Sequence, residues 1–98
     1  MRINNGILHA MQIAGGNKEL SELLGIKKAR LSFIIHRLEG YCPRTLKNKI
    51  QEKLNVADEE FNYYSDANEN LKYITKSWIE RTLLMKYKNK KIGGQQNA

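Results

Sequence analysis

The segment from residue 16 to residue 36, GNKELSELLGIKKARLSFIIH, places a glycine inside the clearest helical pattern of the chain. Apolar residues recur at helical spacing on both sides of Gly25, which predicts two short helices, residues 17–24 and 27–37. Glycine readily adopts the left-handed backbone that a sharp turn requires, whereas a β-carbon is costly there. Two short helices joined by such a turn pack at a steep angle, so this segment predicts a helix-turn-helix.

The apolar residues around Gly25 fall where the inner face of a helix-turn-helix needs them. Asn17 is suited to cap the first helix. If Asn17 is the first of about twenty positions in the motif, the five positions that face the interior all hold apolar residues. Ser21 is the small residue expected where the two helices approach each other. A plain two-helix hairpin within a core satisfies several of the same constraints and is the alternative. The inward residues are Leu20, Leu24, Ile26, Leu31 and Ile34.

The remaining pattern predicts an all-α domain of five helices. Residues 4–14 carry an apolar stripe and form the first helix. The residue before Pro43 avoids helical backbone, so a loop precedes the fourth helix, which runs to about residue 54. Three acids beginning at Asp58 suit the positive N-terminal end of a short fifth helix that ends near residue 64.

Beyond Ser65 the character of the sequence changes. Apolar residues spaced three and four apart predict an additional C-terminal helix, although strand-favouring residues in the same segment leave a β arm open. Such an apolar face is normally buried against something. Self-association into a homodimer is the preferred interpretation, and packing on the domain's own core, a second DNA contact and a protein partner for 66–90 are the alternatives. The residues assigned to dimerisation are Leu71, Ile74, Trp78 and Met85.

These patterns divide the chain into three sections. Residues 1–64 form the helix-turn-helix domain, and residues 65–90 form the amphipathic segment. Residues 91–98 are polar and glycine-rich, which predicts a disordered tail.

The charge distribution indicates a polyanionic partner. The net charge of +7 divides into +6 over residues 1–54, −5 over residues 55–70 and +6 over residues 71–98. Two basic blocks around an acidic spacer create an oriented field that suits nucleic acid. The chain has no apolar run long enough to cross a membrane and a single cysteine, so we expect a cytoplasmic location and no membrane partner.

The sequence gives little support for an enzymatic function. Gly15 and Gly16 lack the later glycine or lysine of a phosphate-binding loop. His9 and His36 are isolated, and one cysteine provides neither a zinc site nor a nucleophilic pair. We therefore expect no catalytic site, no metal and no cofactor.

If the second motif helix lies in the major groove of double-stranded DNA, its N-terminal and outward residues contact base edges. Lys28 suits guanine O6 and N7, and Ser32 bonds either kind of base edge. Ala29 or Phe33 suits the thymine methyl group. Phe33 lies off the apolar stripe, and packing under the neighbouring loop is an equal alternative for it. The candidate reading residues are Lys27, Lys28, Ala29, Ser32, Phe33 and His36.

Phosphate contacts are expected from helix N-termini and from the loop after the second motif helix. Each such contact adds salt dependence rather than sequence specificity. Arg30 is either a phosphate contact or the ion-pair partner of Glu22 or Glu39. The other candidates are Asn17, Lys18, Arg37, Tyr41, Arg44 and Lys47.

The segments AGGNKELSELLGI and LSFIIHRLEGYCPRTLKNKIQEKLNV resemble the Cro and lambda-repressor type of helix-turn-helix protein. The resemblance is closest to the YdaS-like Cro group, through the pair Gly15 and Gly16, the proline at Pro43 and the buried isoleucine expected at Ile50. It covers about residues 4–63. The tryptophan common in that group's reading helix is replaced here by an isoleucine, and the loop after this helix is less basic.

This resemblance implies a five-helix domain that binds an operator as a dimer and regulates phage or mobile-element genes, most simply as a repressor close to the bacterial nucleoid. It also implies that Asn17 takes the place of a glutamine that contacts phosphate. The rival hypothesis is a protein–protein module on the same scaffold, such as an antirepressor or an inhibitor encoded by a mobile element. The basic start of the reading helix favours DNA, whereas the apolar segment beyond Ser65 favours a protein partner.

Overall fold

The computed structural model describes residues 2–66 and 90–91. In these ranges the chain is mostly helical, with a small antiparallel sheet beside the helices. The elements in chain order are β1 (Arg2–Asn4), α1 (Asn5–Ala14), α2 (Asn17–Leu24), α3 (Lys28–Arg37), α4 (Arg44–Lys53), a 3₁₀ helix (Asp58–Asn62), β2 (Tyr63–Asp66) and β3 (Lys90–Lys91). The helix boundaries predicted for the first four helices agree with these to within one residue.

Helix α1 lies at the centre of the domain. It contacts α2, α4, the 3₁₀ helix and β2, and its residues Ile7, Leu8 and Met11 are fully buried. Gly6 allows the closest of these contacts, because a β-carbon at Gly6 would lie 2.3 Å from the ring of Phe61. The missing side chain therefore lets the 3₁₀ helix press its aromatic ring against the helix backbone.

The core extends from α1 into the two motif helices and α4. Fourteen buried apolar residues form one cluster, so the described helices share a single core. Leu20, Leu31 and Ile50 join it from α2, α3 and α4, and each is fully buried. The buried position expected for Ile50 is thus confirmed.

The predominance of helix agrees with the all-α prediction, whereas the small sheet of β1, β2 and β3 was not predicted. Strand β2 is central, pairing with β1 on one side and β3 on the other, both antiparallel. Arg2 lies opposite Asp66, and Ile3 opposite Ser65. Strands of two to four residues are too short to show an alternating pattern, and their partners are distant in sequence, so local periodicity gave no signal for them.

The predicted fifth helix differs in type and length, and strands lie across the two predicted section boundaries. The fifth helix is a 3₁₀ helix of five residues, Asp58–Asn62, that leads directly into β2. Strand β2 then runs through the boundary placed between residues 64 and 65, and Lys91, the first residue of the predicted tail, lies in β3. The choice between helix and strand for residues 67–89, and the dimerisation residues Leu71, Ile74, Trp78 and Met85, lie outside the described residues.

Candidate nucleic-acid interface

The turn between α2 and α3 has the geometry that the glycine predicts. Gly25 has φ of +68°, in the left-handed region. Its N–H donates to the Glu22 carbonyl at 3.2 Å, and the N–H of Ile26 donates to the Ser21 carbonyl at 3.0 Å. This pair of bonds is the Schellman motif, which ends a helix and sends the chain off in a new direction. Gly25 therefore separates two helices, as predicted, and does not bend one.

The inward residues of the motif are buried as predicted. Leu20, Leu24, Leu31 and Ile34 belong to the core, and Ile26 packs against it partly buried. Ser21 is buried between the helices, where its hydroxyl donates to the Lys18 carbonyl at 2.7 Å. The Ser21 hydroxyl is therefore hydrogen-bonded although it is buried at the contact between the helices.

Helix α3 exposes the residues that were predicted to read DNA. Lys27, Lys28, Ala29 and Arg30 are exposed at its start, His36 and Arg37 are exposed at its end, and Ser32 is partly buried. Residues 27–37 contain four Lys and Arg residues and no acid. The exposed side of α3 therefore carries three cations at its start and Arg37 at its end, with no acidic residue between them in the sequence.

The start of α3 is electrostatically unfavourable in the free protein. Lys27 occupies the capping position without a side-chain hydrogen bond, and the first turn has no acidic residue. The N-terminal end of a helix carries a partial positive charge, which disfavours Lys27, Lys28 and Arg30 beside it. An anion at this end would be stabilised by the backbone N–H groups and by the three side chains together.

Phe33 is half exposed, at 50% of its surface, so the ring is not enclosed by a loop. The guanidinium carbon of Arg30 lies 5.9 Å from the ring centroid, on the same outward side of α3. The predicted ion pair of Arg30 with Glu22 or Glu39 is wrong within the described residues, since Arg30 lies over Phe33 instead. A cation and an aromatic ring are thus presented together in the middle of the exposed face.

Asn17 does not cap α2, which corrects one prediction. Gly16 holds the capping position, and Asn17 is the first helical residue. The Asn17 amide nitrogen donates to the Ser32 hydroxyl at 3.0 Å, joining the start of α2 to the middle of α3. The Asn17 Oδ1 atom is buried without a hydrogen-bond partner among the described groups. In this structure Asn17 positions α3, and Lys18 beside it is exposed.

Of the candidate phosphate contacts in and after the loop that follows α3, some are exposed and one is held in an ion pair. Tyr41 is 56% exposed, and Arg44 at the start of α4 is exposed. Lys47 is committed elsewhere, because its ammonium lies 2.7 Å from the Asp58 carboxylate. Burial raises the pKa of Cys42 to about 12, so this thiol stays protonated near neutral pH. Of the loop residues, Tyr41 and Arg44 remain available to a ligand.

Asn4 was not singled out from the sequence, yet it positions the loop. Its Oδ1 accepts from the N–H groups of Gly6 at 2.8 Å and Ile7 at 3.3 Å, which caps α1. Its amide nitrogen donates to the Gly40 carbonyl at 3.0 Å and to the Phe61 carbonyl at 2.9 Å. The asparagine before a helical pattern signals the cap, but its two distant carbonyl partners have no local signature.

Over residues 2–66 and 90–91, no group of three or more His, Cys, Asp and Glu side chains is arranged to hold a metal ion. In the same part of the chain, no helix combines the length and the apolar character needed to cross a bilayer.

Comparison of the chain with protein-family models, with curated proteins and with solved structures finds no match. The resemblance to the Cro and lambda-repressor type thus stays a prediction that depends on the quoted motifs.

Proposed function

We propose that this chain is a sequence-specific DNA-binding regulator that places α3 in the major groove. The observation that carries the proposal is the exposed, acid-free basic face of α3, set at a fixed angle by the turn at Gly25. A helix held by one face and charged on the other is the arrangement that a reading helix requires.

The proposed roles follow from position and exposure. Lys28 reads guanine, and Ala29 and Phe33 contact thymine methyl groups. Ser32 is joined to Asn17, so its contact to a base comes from a hydroxyl held in place by α2. Phosphate contacts come from the exposed cations around these residues, namely Lys18, Lys27, Arg30, Arg37 and Arg44, with His36 at the end of the helix.

By its resemblance to Cro-type proteins, the proposed domain has five helices and acts as a dimeric repressor of phage or mobile-element type in the bacterial cytoplasm. The homodimer would form through Leu71, Ile74, Trp78 and Met85. Sedimentation of the full chain should then give twice the mass of one chain, and Trp78→Lys should give a monomer. A monomeric wild-type chain at high concentration would refute the dimer.

The proposal is tested by the salt dependence of binding to a random-sequence duplex. Lys27→Gln with Lys28→Gln should weaken binding, and the loss of the Lys27 phosphate contact should make the plot of log K against log salt shallower by about 0.9. The matched control is Lys49→Gln with Lys53→Gln, which removes the same charge from exposed positions of α4. Equal effects of the two pairs, or no duplex binding by the wild type at low salt, would overturn the proposal.

A protein–protein module is the second candidate, and exposed apolar side chains favour it. Ile13, Leu23 and Phe33 are each between 43% and 50% exposed. Phe33→Ala discriminates between the two functions. On the DNA hypothesis it alters the preferred sequence in a selection of bound duplexes while the salt slope stays unchanged, because no charge is lost. If the chain is a protein–protein module, the wild type itself binds no duplex.

A further inference from the structure

Side chains from both ends of the domain meet at Gly40, in the loop after α3. Gly40 is buried and has φ of +87°. A β-carbon at this position would lie 2.8 Å from the Cβ of Tyr64 and 3.4 Å from the Cβ of Arg2. The loop backbone therefore packs directly against the β-carbons of Arg2 and Tyr64, which lie on two paired strands.

This contact is held rigidly to the candidate interface. Asn4, two residues after Arg2, donates from its amide nitrogen to the Gly40 carbonyl at 3.0 Å. Asn4 is also the partner of Tyr64 in the β1–β2 register, and β1 itself packs against α3. The strand that carries Arg2 is thus fixed in position relative to the reading helix.

Arg2 is exposed, and its guanidinium carbon lies 5.1 Å from the ring centroid of Tyr64. The register places the acid Asp66 opposite Arg2 and a further basic residue, Lys90, opposite Tyr64. Among the described residues no ion pair joins Arg2 to Asp66, and the guanidinium lies over the ring of Tyr64. An aromatic face supports a guanidinium without using its N–H groups, which leaves the donor fork open to another ligand.

We propose that Arg2, supported by Tyr64, is an additional phosphate contact, so that the DNA-binding surface includes the sheet beside the loop that follows α3. The proposal rests on the DNA-binding function proposed above. Arg37 precedes Gly40 in the sequence and Arg44 follows it, and both are exposed, so the loop on which Arg2 packs is flanked by two other exposed cations. The planar guanidinium suits a phosphate through two parallel hydrogen bonds. Stacking on Tyr64 orders the side chain before binding, which lowers the entropic cost of the contact.

Besides Asp66, which lies opposite Arg2, a second acid opposes this assignment and supplies a further test. Glu39 is exposed, immediately precedes Gly40 and has φ of +51°. A carboxylate beside the proposed phosphate path should weaken binding through repulsion. Glu39→Gln is therefore expected to strengthen duplex binding at low salt, in the opposite direction to the loss of Arg2.

The experiment measures the fluorescence anisotropy of a labelled random-sequence duplex with the full chain at several salt concentrations. Arg2→Gln should lower affinity about 8-fold at about 0.1 M salt and make the salt slope shallower by about 0.9, the values for one phosphate contact. Arg2→Lys keeps the charge and should keep the slope. Tyr64→Phe should match the wild type, whereas Tyr64→Leu should lower affinity without any change of charge. Lys49→Gln is the charge-matched control on α4.

The outcomes separate this inference from the function on which it rests. If Lys27→Gln weakens binding while Arg2→Gln behaves like Lys49→Gln, Arg2 is not a contact and the DNA-binding proposal stands. If the wild type binds no duplex at low salt, the DNA-binding proposal fails and the Arg2 assignment fails with it. Circular dichroism of Arg2→Gln checks that the fold is retained. If Arg2→Gln is unfolded, the affinities of Tyr64→Leu and Glu39→Gln decide whether Arg2 contacts phosphate.

Discussion

Replacing Asn4 tests how the domain holds the loop after α3 in place. The side chain is buried and uses its full hydrogen-bonding capacity, with two bonds to the start of α1 and two to carbonyls of distant segments. In Asn4→Ala the helix loses its cap, at a cost of about 1 kcal/mol. The carbonyls of Gly40 and Phe61 also lose a buried donor, at about 1 kcal/mol or more each.

The expected loss is therefore about 3 kcal/mol of the free energy of unfolding. For a domain of this size, each 1 kcal/mol corresponds to roughly 4–8 °C in Tm, so Tm should fall by more than 10 °C. Thermal unfolding followed by circular dichroism at 222 nm measures this fall in Tm, because the described part of the chain is mostly helical and helices absorb strongly at that wavelength. The matched control is Asn48→Ala, which removes the same group from an exposed position of α4 and should change Tm little.

A second variant separates the cap from the two distant bonds. Asn4→Asp keeps an oxygen that accepts from the N–H groups of α1 but replaces the donor that reaches Gly40 and Phe61. It should lose most of the stability that Asn4→Ala loses, because a second oxygen then faces two carbonyl oxygens. If Asn4→Asp is as stable as the wild type, or if Asn4→Ala costs less than the Asn48→Ala control, the reasoning from the four hydrogen bonds is refuted.

Three further predictions concern the turn, the surface and the core. Gly25→Ala should cost about 1–2 kcal/mol through its left-handed backbone alone, since a β-carbon there meets nothing within 4 Å; Gly25→Asn should cost less, and equal denaturation midpoints for the two variants would contradict this. Lys47 lowers the pKa of Asp58 through a hydrogen bond and its charge, so the ion pair contributes stability above the unfolded pKa and loses it as pH falls through the folded pKa. The Tm difference between wild type and Asp58→Asn should accordingly vanish in strong acid, and a difference that persists there would exclude the ion pair as its cause. Burial raises the pKa of Cys42 to about 12, so iodoacetamide at neutral pH should modify the thiol slowly in the native protein and quickly in urea, and equal rates would show that the thiol is not protected.

The helix-turn-helix is the part of this fold that local sequence predicts well. Its signals act over short distances, through the apolar spacing on either side of Gly25 and the left-handed backbone that glycine alone adopts cheaply. The same is true of the exposed basic residues of α3, because a residue off the apolar stripe of a helix must face outward. Four helices and the outward set of α3 followed from these rules.

Only the tertiary structure decided what surrounds the motif. Asn17 was assigned to a cap and to phosphate, yet its amide bonds Ser32, because Gly16 already occupies the capping position and α3 crosses beside it. The sheet, the four bonds of Asn4 and the meeting of Arg2 with Tyr64 join residues from opposite ends of the domain. Such pairings have no period in the sequence, since they depend on which surfaces the packed helices bring together. The sequence by itself therefore determined α3 and its exposed face, and tertiary packing determined which residues hold that helix and the loop after it in place.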